Sequence, residues 1–79
     1  NEATVYPYML RRIANAIKNN LDEIQLFQID TYEAWVPEQR YESELSSLMK
    51  YFVKQEQYEH AATCRDLIAL HKQKTSANV

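Results

Sequence analysis

The chain has no glycine in its 79 residues, only two prolines and a single cysteine. Tight β-hairpins, phosphate-cradling loops and strand-to-helix elbows usually recruit glycine, so its absence disfavours them and points to helices. One cysteine cannot form an internal disulfide, which suits a reducing, cytoplasmic setting. No run approaches the roughly 18 apolar residues of a membrane span, and no apolar run behind a basic start marks a signal peptide. A formal charge of −2 supplies no overall attraction to nucleic acid or anionic lipid, though a local basic patch is compatible with it. The start at Asn1 rather than methionine is what a fragment or processed product would show.

What is present is a globular composition, 46% apolar and 25% charged, in a chain expected to form one domain over residues 1–79. A chain this short buries only about 60% of its unfolded surface, so it must use its apolar residues well or share them with a partner. Pro7 suits a first helical turn, and Leu10, Ile13, Ala14, Ile17, Leu21 and Ile24 recur at helical steps. This spacing predicts a first helix over residues 7–29, with Arg11, Lys18, Asn19 and Asp22 on its polar side. Asp30, Thr31 and Pro37 break the pattern, so 30–36 is expected to be a connection with Trp35 folded onto the core. Pro37 and Glu38 open a second helix, 37–55, whose apolar side carries Tyr41, Leu45, Leu48, Met49, Phe52 and Val53.

After a tight turn, a third helix is predicted from Tyr58 to Lys72, with residues 73–79 a frayed tail. Its apolar residues, among them Tyr58, Ala61, Cys64, Leu67 and Ala69, spread far wider than one stripe and predict cover from two sides. The expected fold class is therefore all-α: a small three-helix bundle made of a long N-terminal helix and an antiparallel helical hairpin, 37–72. Such a bundle is marginal alone, which predicts self-association or a host protein.

Within residues 45–72, Met49 is followed nine positions later by Tyr58, then by Glu59, Ala61, Ala62, Arg65, Asp66, Ile68 and Leu70. These residues and their spacing resemble the UVR motif, the short helical hairpin of the excision-repair proteins UvrB and UvrC and of Clp-associated proteins. Val53, Glu56 and Cys64 stand where the family has alanine, leucine and leucine. The resemblance implies a protein contact element that docks on a like hairpin or a partner subunit, in DNA excision repair or regulated proteolysis. The function expected is a non-enzymatic interaction module using the third helix and the edge of the second. Its partner-binding residues would be Met49, Val53, Tyr58, Ala62, Leu67 and Leu70, with Arg65 and Asp66 fixing register.

The chemistry-bearing residues add little to this. His60 and Cys64 are four apart, with His71 further along, yet structural zinc takes four Cys or His ligands and a fourth is missing. No metal and no cofactor are expected, and Cys64 reads as a small buried hydrophobe. A Cys–His nucleophile needs a lowered thiol pKa and a third group that orients the base, and a thiol in a helix seam is closed to substrate. Arg65 and Asp66 diverge by about 100° on a helix, so each is expected to bond its own neighbour, Arg65 a carboxylate of the facing helix.

The alternative is a nucleic-acid-binding or DNA-repair accessory domain using Arg11, Arg12 and Lys18 beside Tyr6 and Tyr8. Against it, the third helix offers Glu59 and Asp66 rather than the positive charge of a recognition helix. Six tyrosines and one tryptophan divide between core and contact surface. Tyr41 and Phe52 go to the first, Tyr51 and Tyr58 to the second.

Overall fold

The computed structural model describes residues 2–76, in the order α1 (Glu2–Lys18), β1 (Glu23–Ile29), β2 (Tyr32–Pro37), a 3-10 turn (Glu38–Arg40), α2 (Tyr41–Lys54) and α3 (Tyr58–Ser76). The two strands form an antiparallel sheet, so the fold is α+β. This overturns the all-α three-helix bundle and the helical-hairpin description. The second part of the expected long helix and the whole expected connection are a β-hairpin.

Local chemistry explains where helical spacing misleads. α1 closes at Asn20, whose φ is 57°. Leu21 N–H donates to Ala16 O at 2.9 Å and Asn20 N–H to Ile17 O at 3.4 Å, the paired bonds of a left-handed helix cap. Leu21 and Ile24 prolong the three-residue steps, but beyond the cap Ile24 and Leu26 are buried two apart, as in a strand. The hairpin turns on Asp30 and Thr31, with Asp30 at φ 52°. α2 closes on Glu56 at φ 60°, with Gln57 N–H donating to Phe52 O at 2.7 Å and Glu56 N–H to Val53 O at 3.0 Å. Three positions that favour glycine are thus held by Asn, Asp and Glu. The short polar side chains of Asn20 and Asp30 tolerate the left-handed region, so the missing glycine did not exclude a hairpin.

Pro7 lies inside α1 rather than in its first turn, because the helix begins at Glu2. Trp35 is half-exposed instead of folded onto the core, and its indole N–H donates to Glu33 Oε2 at 2.9 Å. α3 runs on to Ser76. The rest of the expected frayed tail, 77–79, lies outside the described residues. No helix among the described residues is long and apolar enough to cross a membrane.

The core lies where α1, the base of the hairpin, α2 and α3 meet. It is built on Leu10, Ile13 and Ile17 of α1, Ile24, Leu26 and Val36 of the hairpin, Tyr41, Leu45, Leu48 and Phe52 of α2, and Ala61, Cys64 and Leu67 of α3. Each large side chain fully enclosed there contributes about 1.5–3 kcal/mol of burial. α3 buries one face, Ala61, Cys64, Leu67 and His71, while Tyr58 and Ala69 stay exposed. α3 meets both α2 and α1, but its cover stops short of Tyr58 and Ala69.

Candidate functional site

The β-hairpin has one side facing the core and one facing water. Ile24 pairs with Val36, Phe27 with Ala34 and Ile29 with Tyr32, and paired residues share a face, as do alternate residues 32, 34 and 36. An irregularity between Gln25 and Phe27 inserts Leu26, so the core side carries Ile24, Leu26, Phe27 and Ile29 from β1. The opposite side carries Gln25 and Gln28 against Trp35 and Glu33. The alternation is that of a half-buried sheet.

The core side is longer than its cover. Ile24, Leu26 and Val36 are buried, yet Phe27 is 43% exposed and Ile29 and Tyr32 are each 64% exposed. Phe27 and Tyr32 stack with ring centroids 5.9 Å apart. Beside them, Val5, Tyr8 and Met9 of α1 join Leu26, Phe27 and Ile29 around an open groove of about 350 Å³ with no charged side chain in its lining. The result is an apolar shelf that continues the core into solvent.

Arg12 fixes the shelf to α1, its Nη2 donating to Gln25 O at 2.8 Å beside the inserted residue. That contact occupies a carbonyl of β1. β2 has β1 as its single strand neighbour among the described residues, so its other edge is an open row of backbone donors and acceptors.

A polar junction closes the opposite end of the hairpin. Glu38 N–H donates to Asp22 O at 2.7 Å, and the Tyr41 hydroxyl donates to Leu21 O at 2.9 Å. Lys74 Nζ reaches Ile17 O at 2.7 Å and Asn20 Oδ1 at 3.1 Å. His71 is buried with Nδ1 2.5 Å from Glu42 Oε2 and Nε2 3.0 Å from Glu38 Oε2. Burial alone would lower the His71 pKa, but the hydrogen bonds and charges of Glu42 and Glu38 together outweigh it and raise the pKa above the ordinary value. Burial, then the charges of Glu38, Asp22 and Glu23, raise that of Tyr41. A cavity of about 380 Å³ lies here, bordered by Asp22, Glu38, Tyr41, His71 and Lys74 among others.

The residues expected to bind a partner do not form one surface. Leu67 is 4% exposed and belongs to the core. Met49 and Leu70 are partly buried against that core, and Ala62 is half-buried. Val53 and Tyr58 are exposed. Arg65 and Asp66 are exposed and bond each other, Nε to Oδ1 at 3.1 Å, instead of reaching separate neighbours. Arg11 and Lys18 are exposed on α1, while Arg12 is turned to the hairpin and does not join them.

Burial pushes the Cys64 thiol up to about 11, against a small opposing effect of a backbone hydrogen bond. His60 lies against the Phe52 ring, centroids 4.9 Å apart, and His71 is committed to its two carboxylates. Among the described residues no group of three or more His, Cys, Asp or Glu is placed to hold a metal ion.

Neither the shelf nor the His71 junction is part of the sequence reading. The signal for the shelf is the alternation in "EIQLFQI" with aromatic and β-branched residues on both strands. For the junction it is the i, i+4 pair Glu38 and Glu42, although nothing local points to a histidine 29 residues beyond Glu42.

No family model, curated protein or solved structure matches the chain. The UVR resemblance therefore rests on the residues from Met49 to Leu70 alone.

Proposed function

We propose that the chain is a non-enzymatic protein-interaction module that associates with a second copy of itself through the uncovered end of its β-hairpin's apolar side and the open edge of β2. The observation that carries this reading is the mismatch between the hairpin's apolar side and its cover, with Phe27, Ile29 and Tyr32 left in water beyond Ile24, Leu26 and Val36. Isolated apolar residues on a surface need no explanation, but a continuous shelf of them marks a contact.

Area and pattern favour a second copy as the occupant. Tyr8, Phe27 and Tyr32 are 39–64% exposed, and at 150–250 Å² per aromatic side chain they offer on the order of 300 Å². That is over a third of the roughly 800 Å² each partner contributes to a standard interface, and the strand edge and aliphatic neighbours extend it. β2 is self-complementary in one antiparallel register: with Ala34 opposite Ala34 of the other copy, Tyr32 faces Val36 and the apolar row Tyr32, Ala34, Val36 runs through both chains. A two-fold axis through that pair makes a four-stranded sheet with β1 outermost on both sides, a closed dimer that leaves no open β2 edge.

Other features fit contact better than catalysis. The Cys64 thiol is buried and held protonated, and both His71 ring nitrogens are occupied. The UVR likeness supports the same class of function, and a reducing, cytoplasmic setting suits the lone thiol. The nucleic-acid reading loses Arg12 to the Gln25 carbonyl.

The test is an isotope-filtered NMR experiment on a mixture of labelled and unlabelled chains. Contacts between chains from Ala34 to Ala34 and from Tyr32 to Val36 are expected. Contacts between chains confined to Tyr58 and Val53, or none at concentrations where the chain is monomeric throughout, would overturn the proposal.

A further inference from the structure

His71 is set between two carboxylates from different elements, Glu38 in the 3-10 turn that follows β2 and Glu42 in the first turn of α2. A neutral imidazole has one N–H, whereas an imidazolium has two. Only the charged ring can donate to both acids at once. The Glu38 backbone also holds Asp22 O at 2.7 Å, so this residue joins the end of the hairpin to the link after α1.

We propose that Glu38, His71 and Glu42 form a pH-dependent clasp, which docks the base of the β-hairpin on α3 while His71 is an imidazolium and releases Glu38 when the ring loses a proton. The direction of release follows from the asymmetry of the contacts. Glu42 sits closer, at 2.5 Å against 3.0 Å, and its side chain is less exposed, 32% against 43%. The N–H that survives deprotonation therefore stays on Nδ1, directed at Glu42. Nε2 then turns a lone pair toward the Glu38 carboxylate, acceptor against acceptor, and the more exposed Glu38 swings into water while the proton passes to solvent.

The other groups around the ring leave this logic intact. Tyr41 lies edge-on to His71, ring centroids 5.8 Å apart, with its hydroxyl bound to Leu21 O. Lys74, on α3, directs its ammonium at Ile17 O and Asn20 Oδ1. Asp22 faces the same cavity from the link after α1 and adds negative charge, which favours the imidazolium. Thr75 hydroxyl donates to the His71 carbonyl, not to the ring. The clasp lies at the opposite end of the hairpin from the shelf, so its failure and that of the self-association proposal are read independently.

The test is a long-range ¹H–¹⁵N correlation of the histidine rings from about pH 5 to 9 on the full chain, with His60→Gln used to assign His71. Three results are expected: a His71 midpoint above the ordinary 6.5, a neutral ring protonated on Nδ1, and backbone amide shifts at Glu38–Arg40 that follow the same midpoint. Glu38→Gln keeps a side chain that can donate as well as accept, so it should lower the midpoint and uncouple those amides from the ring. A midpoint at or below 6.5, a neutral ring protonated on Nε2, or 38–40 amides that ignore the ring in the wild type would overturn the clasp. An unchanged amide titration in Glu38→Gln would do the same.

Discussion

The hydroxyl of Tyr41 donates to the backbone carbonyl of Leu21 at 2.9 Å, joining the first residue of α2 to the link that leaves α1. The ring itself is 1% exposed, so Tyr41→Phe keeps the packing and removes only the bond. A loss of about 0.5–1.5 kcal/mol is expected in urea denaturation, with far-UV circular dichroism unchanged. No loss would mean that the two halves of the chain are not joined at this point.

Glu56 gives a stability prediction of opposite sign. At φ 60° it holds a conformation costing a non-glycine residue roughly 1–2 kcal/mol. The cap bonds around it come from backbone groups, so they survive substitution. Glu56→Gly should stabilise by roughly 1 kcal/mol, raising the melting temperature by about 4–8 °C. Asn20→Gly should gain less, because asparagine tolerates this region better than glutamate.

Leu67 and Tyr58 part company, although the sequence suggests partner contact for both. Leu67 is a core residue of α3 and Tyr58 is 62% exposed. Leu67→Ala should cost about 2–5 kcal/mol, whereas Tyr58→Ala should stay within about 0.5 kcal/mol. Thermal melts of the two variants decide the assignment, and a large loss for Tyr58→Ala would contradict it.

Stability should also depend on pH through His71. Its folded pKa lies above the ordinary value, so the native state binds the proton more tightly than the unfolded chain. The stabilisation is complete below the unfolded pKa of about 6.5 and is lost as pH rises through the folded value. Wild-type stability relative to His71→Gln should therefore fall on going from about pH 6 to 9. A difference that is flat or grows over that range would refute the assignment.

Legibility in the sequence follows the range of the forces involved. Tyr41, Leu45, Leu48 and Phe52 lie on one stripe at helical spacing, and α2 buries them, because amphipathic periodicity is local and strong. The hairpin escapes because Leu21 and Ile24 continue the helical steps of α1 by coincidence, and because Asp30 turns without glycine. Asn19 and Asn20 are a local stop signal that competes with that periodicity. Leu67 and Tyr58 both belong to the wide apolar spread of the third helix, and only packing tells which of them is buried. The His71 junction is the least legible, since Glu38 and His71 meet across 33 residues.

Sedimentation equilibrium over a wide concentration range, at low and high salt, for the wild type and for Tyr32→Lys tests self-association most directly. A wild-type dimer that is indifferent to salt, as an apolar interface requires, and a Tyr32→Lys chain that is monomeric with unchanged helicity are the expected results. A wild type that remains monomeric throughout, or a dimer that survives a lysine at position 32, would contradict self-association through the hairpin.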